Sequence, residues 1–142
     1  MRRSFLCWMA ASVLAVAVPA AATELSAADA KSVRAVIQSQ LAAFAADDAP
    51  RAFSFATPQL REMFGNAEHF MQMVRASYPV VYRPATVAFL KPEADDGAVT
   101  QAVHFTDRDG VLWLALYRLE KQADRSWRIS ACQMGPAQGR AA

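Results

Sequence analysis

The apolar positions of this chain change their period about halfway along it. Behind Ser26, residues Val33, Val36, Ile37, Leu41 and Phe44 recur at steps of three and four, with Lys31, Arg34 and Gln38 on the opposite side. That spacing predicts an amphipathic helix over about residues 27–46, whose apolar face only Gln40 interrupts. Ser26 suits its N-cap, with Asp29 three residues on. Asp47-Asp48-Ala49-Pro50 breaks the helix, and Asp48 can cap a short second one carrying Phe53, Phe55 and Ala56. Thr57-Pro58 opens a third helix with Leu60, Met63 and Phe64 facing inward, and Gly65 suits its C-terminal end. Asn66 caps a fourth, whose stripe is Phe70, Met73, Val74 and Tyr78, and Pro79 stops it.

Beyond Pro84 the period falls to two. Residues 86–91, 99–106, 111–120 and 127–134 read as strands, separated by the turn signals Asp95-Asp96-Gly97, Asp109-Gly110 and Ala123-Asp124-Arg125-Ser126. Helices first and strands second predict an α+β fold. N-terminal helices would pack on a curved, roughly four-stranded antiparallel sheet, giving a cone-like shape. Alternation places Val87, Phe89, Gln101, Val103, Phe105, Trp113, Ala115, Tyr117, Leu119, Trp127, Ile129, Ala131 and Gln133 on the helix-facing side. The reverse carries Ala88, Leu90, Ala102, His104, Leu112, Leu114, Leu116, Cys132 and Met134, together with Arg118, Glu120, Arg128 and Ser130. Three leucines on an outer face call for a cover. A homodimer packed sheet against sheet through Leu112, Leu114 and Leu116 is therefore expected; a bent sheet or the C-terminal tail is the alternative shield.

The chain has 142 residues, and its first 22 read as an export signal. Arg2 and Arg3 precede an apolar stretch over residues 5–18, then Pro19 and Ala20-Ala21-Ala22 supply the break and the small cleavage-site residues. A single domain over residues 23–136 follows, then a tail over 137–142 expected to be disordered. The expected location is the periplasm or outside the cell, with no membrane association after cleavage. Without the signal, Lys+Arg and Asp+Glu balance, and no basic run remains. That argues against nucleic-acid binding, which rests on phosphate neutralisation. Loss of Cys7 leaves Cys132 alone, so no internal disulfide is expected, and its apolar surroundings favour a buried thiol.

The segments Phe53-Ser-Phe-Ala56, Arg61-Glu-Met-Phe64, Phe70-Met-Gln-Met-Val74 and Tyr78-Pro-Val-Val-Tyr-Arg-Pro84 resemble an exported bacterial family catalogued as a domain of unknown function. Trp113-Leu-Ala-Leu-Tyr-Arg-Leu-Glu120 and Ser126-Trp-Arg-Ile-Ser-Ala-Cys132 continue the resemblance. The order of elements is similar to the nuclear-transport-factor-2-like (SnoaL- and ketosteroid-isomerase-like, cystatin-like) superfamily. That likeness implies a cavity between helices and sheet, but it selects no activity. The isomerases among those proteins use a carboxylate base in the pocket. Here no helix-facing strand position is Asp or Glu, so no catalytic residue is assigned.

Tyr82, Arg83, Gln101, Trp113, Tyr117 and Gln133 are the candidate ligand-binding residues: polar or amphipathic groups on, or at the mouth of, an apolar inner face. The plainer reading is that they reach water or satisfy backbone groups, and that Arg83 pairs with a carboxylate such as Glu62 or Glu68. No cofactor is expected. No metal is expected either, since no His/Cys/Asp/Glu set has ligand spacing and Asp107-Arg-Asp-Gly110 reads as a hairpin turn. The first functional reading is a non-enzymatic small-ligand- or partner-binding domain. The second is a lyase or isomerase with Tyr82 and Tyr117 as donors and Glu62 as base. The third is an accessory protein whose leucine face binds a different protein.

Overall fold

Each of the first four helices begins where a polar side chain replaces a missing backbone acceptor. In the computed structural model, which describes residues 25–137, these helices are α1 (Ala27–Ala45), α2 (Ala49–Ser54), α3 (Pro58–Phe64) and α4 (Ala67–Ser77). Ser26 Oγ accepts from the Asp29 amide at 3.0 Å, and Asn66 Oδ1 from the His69 amide at 2.8 Å. Asp48 and Thr57 cap α2 and α3 in the same way, each followed by a proline in the first turn. Gly65, at φ +83°, ends α3 in the left-handed region that a side chain resists. A fifth helical turn, α5 (Pro79–Tyr82), occupies the proline-bracketed connector. The proposed export signal and residues 138–142 of the tail lie outside the described residues.

The strands are β1 (Thr86–Phe89), β2 (Glu93–Asp95), β3 (Ala98–Thr106), β4 (Leu112–Lys121) and β5 (Trp127–Pro136). They form an antiparallel sheet in the order β1-β3-β4-β5, with β2 pairing further along β3 on the same side as β1. The architecture is the expected α+β, with β2 as an additional strand. Asp96 and Gly97, both at positive φ, form the tight turn from β2 into β3.

The aromatic side of the sheet lies under the helices. Val103, Phe105, Ala115, Tyr117 and Leu119 are buried there, with Trp127 and Ile129 at its edge. Val33, Ile37 and Phe44 of α1 are buried against them. Asp29 ties the start of α1 to the sheet, accepting from Trp127 Nε1 at 3.2 Å and Lys121 Nζ at 3.3 Å. Lower on α1, the Arg34 guanidinium sits 4.7 Å from the Phe89 ring centre. The chain between α2 and α3 adds a short parallel bridge to β5: Ile129 N donates to Phe55 O at 2.8 Å, and Thr57 N donates to Ile129 O at 2.9 Å.

One feature corrects the expected faces. Arg118 pairs with Ala131 but Leu119 pairs with Ile129, so Ser130 is an extra residue, a β-bulge. Ser130 Oγ donates to Arg118 O at 3.2 Å. An extra residue inverts every side chain beyond it. Cys132 and Met134, opposite Tyr117 and Ala115, therefore face the helices. Gln133, opposite Leu116, and Ala131, opposite Arg118, face the reverse. Strict alternation had put these four the other way round. On that reverse side Leu112 and Leu114 are half-buried and Leu116 is 40 % exposed; the buried core lies on the opposite side.

Candidate functional site

Between helices and sheet lies a cavity of about 150 Å³. Its floor is Tyr117, Ile129 and Cys132. Gln40 and Phe44 of α1 form one wall, and Phe70, Met73 and Val74 of α4 another. Val81 and Tyr78 close the end near α5, while Leu60 and Phe64 of α3 form the remaining side. The wall owes its shape to Phe70, whose ring meets those of Phe53, Phe64 and Phe44 at centroid separations of 5.5, 5.4 and 5.9 Å. α3 is the lightest part of the enclosure, since none of its residues is fully buried. An element with so few buried groups is the one that opens most readily.

None of the lining residues is charged. The polar atoms are few and unevenly satisfied. Gln40 donates its Nε2 to the Ala52 carbonyl at 3.2 Å. The Tyr117 hydroxyl is buried beside the Cys132 thiol, a weak hydrogen-bonding partner. Burial pushes its pKa well above the ordinary tyrosine value, with the neighbouring Cys132 thiol a lesser cause. Burial likewise pushes the Cys132 thiol up to about 12. Both groups stay neutral at physiological pH, and Cys132 is a poor nucleophile. Chemically the cavity can bind a compact apolar body.

Of the six candidate ligand residues, only Tyr117 lines this cavity. Gln101, directly opposite Tyr117 across β3 and β4, turns its amide elsewhere: Nε2 donates to Leu90 O at 2.7 Å and to Ala102 O at 2.9 Å. It thereby bridges the break between β1 and β2, where Pro92 has no amide hydrogen to give. Gln133 is exposed on the reverse face, carried there by the bulge. Tyr82 and Arg83 join Arg75 around Asp47. The Tyr82 hydroxyl and Arg75 Nη2 donate to Asp47 Oδ1, the arginine at 2.7 Å, and Arg83 Nη2 reaches Oδ2 at 3.3 Å. Asp47 sits at φ +54°, just past α1, and the Tyr82 hydrogen bond, then that from Arg75, holds its pKa below the usual carboxylate range. The carboxylate that Arg83 finds is thus Asp47, in place of Glu62 or Glu68.

Trp113 belongs to a third place. Its Nε1 donates to Asp107 Oδ2 at 3.0 Å, while Asp107 Oδ1 accepts from the amides of Asp109 and Val111 and shapes the hairpin turn. Together Trp113, Arg83, Arg108 and Tyr78 line an open external groove of about 450 Å³. Tyr78 borders both groove and cavity.

Three cavity residues with polar or titratable groups, Cys132, Gln40 and Tyr78, were absent from the candidate set for different reasons. Cys132 was hidden by the bulge. Gln40 stood out only as a polar break in an apolar stripe, and Tyr78 as the end of the α4 stripe. The lyase or isomerase reading loses its base, because Glu62 is exposed and lines no part of the cavity. Among the described residues no three His, Cys, Asp or Glu side chains gather as a metal site would require, and no helix is long and apolar enough to cross a membrane.

A family model described as a domain of unknown function matches residues 26–142. No curated protein matches the chain.

Proposed function

The chain belongs to the domain-of-unknown-function family DUF4864, and from its geometry we propose that it is an exported, non-enzymatic domain that holds a small, mainly apolar ligand between helices and sheet. The observation that carries this reading is the partly open, uncharged cavity of about 150 Å³ between helices and sheet. Apolar cavities of about this size take up benzene-sized molecules. The cavity under a helical roof also supports kinship with the nuclear-transport-factor-2-like proteins. Export rests on the Arg2-Arg3, apolar and Pro19-Ala-Ala-Ala sequence; intact mass of the chain recovered from a periplasmic extract tests it, and a full-length mass would refute cleavage.

Titration with benzene, followed through the methyl signals of Met73, Val74 and Ile129, tests the cavity. Saturable shifts confined to these walls are expected. Cys132→Leu, which fills the floor, should abolish them while leaving the fold intact. Shifts that survive Cys132→Leu unchanged, or no shifts in the native protein, would refute the reading.

A second reading concerns the reverse face, where a stripe of three leucines is flanked by Arg118, Arg128 and Glu120. Charges of both signs beside an apolar stripe suit a two-fold pairing of the same face with itself. We propose a homodimer through Leu112, Leu114 and Leu116 in preference to a different protein on that face. Sedimentation at tens of micromolar should give a dimer that Leu114→Lys converts to monomer. A monomeric native protein would end the proposal.

A further inference from the structure

We infer that the cavity and the external groove are two compartments of one trough that takes a single-chain carboxylate, its acyl chain in the cavity and its carboxylate outside, between Arg83 and Arg108; this rests on the ligand-binding reading above and adds the ligand's polar end. The cavity opens on the groove side. Of its lining residues, Leu60, Phe64, Met73, Tyr78 and Cys132 are half-buried and the others are buried. The rim therefore runs between α3, the end of α4 and β5. Tyr78, on that rim, also lines the groove. On the sheet side Cys132 lines the cavity, and Met134, the next residue of β5 on the same face, lines the groove.

The chemistry is graded along this line. Tyr117 pairs with Cys132 at the inner end, Ala115 with Met134 next, and Trp113 with Pro136 beyond. Ala115 is too small to raise a wall from the sheet, which leaves Tyr78 as the partition. Four residues of strand, from Tyr117 to Trp113, span about 13 Å, the reach of a medium-length acyl chain. The cavity lining carries no charge, so a carboxylate there would lose its hydration unpaired, and the chain is the end that enters. The groove supplies the cations. Among the described residues Arg83 uses only Nη2, on Asp47 and Tyr82, and Arg108 enters no ion pair. Of the two aspartates in the groove, Asp107 is already occupied by two amides and the Trp113 indole, and Asp109 lies at the exposed tip of the turn. A guanidinium with donors to spare matches a carboxylate in shape as well as charge.

The test titrates octanoate, octanol and octylammonium, all below their micelle concentrations. The Ile129 methyl signals report the cavity; the Met134 methyl and the Trp113 indole N–H report the groove. Octanoate should shift both sets with one binding constant. Arg83→Gln combined with Arg108→Gln should weaken octanoate about fivefold, the scale of two part-exposed ion pairs. Octanol should change by less than about twofold, which also shows that the double variant has folded. Should it not fold, Arg108→Gln alone, which leaves the Asp47 cluster intact, should still weaken octanoate more than octanol. Cys132→Leu, which fills the cavity floor, should abolish the groove shifts together with the cavity shifts. Groove shifts that survive Cys132→Leu, or that occur without the Ile129 shifts, would overturn the single trough. Equal weakening of octanoate and octanol, or of neither, would overturn the role of the arginines. Octylammonium bound as tightly as octanoate would overturn the preference for a carboxylate. Failure of octanoate where benzene binds would overturn this inference alone; failure of benzene as well would overturn the cavity reading with it.

Discussion

Tyr82 and Tyr117 stand at opposite extremes of hydrogen bonding. Tyr82, on the surface, donates to Asp47 and lies beneath two guanidiniums, those of Arg83 and Arg75, at 4.9 and 5.3 Å from its ring centre. Tyr117, in the interior, has a buried hydroxyl whose neighbour is the weakly bonding Cys132 thiol. The difference teaches how to weigh a polar residue as a site candidate. Tyr82, Arg83 and Asp47 satisfy one another, and together they pin the end of α1 to α4 and α5. A polar atom whose partners all come from its own chain is explained by folding. The Tyr117 hydroxyl has the weak Cys132 thiol beside it, and its residue lines the cavity between the two layers of the fold.

The most forceful way to break the contrast is to demolish the interior wall. Phe70→Ala removes the ring on which Phe44, Phe53 and Phe64 meet. It should destabilise the domain by roughly 3–5 kcal/mol, measured by urea unfolding. A loss under about 1 kcal/mol would mean that the aromatic cluster is not the support claimed for it.

Alkali provides a sharper probe of the interior. In the folded protein Cys132 keeps its proton up to about 12, whereas the unfolded thiol releases it near 9.0. Tyr117 is raised in the same direction from 10.0. A group whose folded value is raised contributes stability below its unfolded value and loses it as pH climbs toward the folded one. Stability should therefore fall above pH 9, by roughly 1.4 kcal/mol per pH unit for each such group once its unfolded form is ionised. Cys132→Ala should flatten the first part of that decline and Tyr117→Phe the second. Unchanged slopes in both variants would contradict the burial assigned to these groups.

Acid provides the corresponding probe of the surface, with a smaller effect because Asp47 is solvent-exposed. Its folded value lies below the usual 3.8, so its contribution is present above that pH and lost as pH falls through the folded value. Asp47→Asn should flatten the acid limb and leave the alkaline limb untouched. An altered alkaline limb would mean that the two regions are coupled.

The helical layer was largely legible from the chain, because its signals are local. Ser26, Asp48, Thr57 and Asn66 each act on an amide three residues away. The aromatic face of the sheet was legible too, since Phe105, Tyr117 and Leu119 are buried as alternation requires. The bulge was not. Trp127-Arg-Ile-Ser-Ala-Cys alternates smoothly, and Ser130 is small enough to suit either register. Which residue is skipped depends on pairing with β4, and that single skip exchanged Gln133 for Cys132 at the cavity. β2 escaped because Glu93-Ala94-Asp95 is short and polar, and only β3 makes it a strand. The partner of Tyr82 and Arg83 lies at a sequence separation of 35 and 36 residues, beyond any spacing rule. Of the candidates, Tyr117 is the one that lines the cavity, and it stood out as a hydroxyl on a face otherwise apolar.

The break at Pro92 has a further consequence when set beside the bridge from Phe55 and Thr57 to Ile129. An open sheet carries two margins of unpaired peptide groups, each a template on which a foreign strand can grow. Here one margin is cut into two short pieces by an imino acid. The other is stapled over part of its length by the loop between α2 and α3, then twisted out of line at Ser130. Both borders are thereby shielded against the growth of a foreign strand, and the leucine face is left as the uncovered side of the sheet.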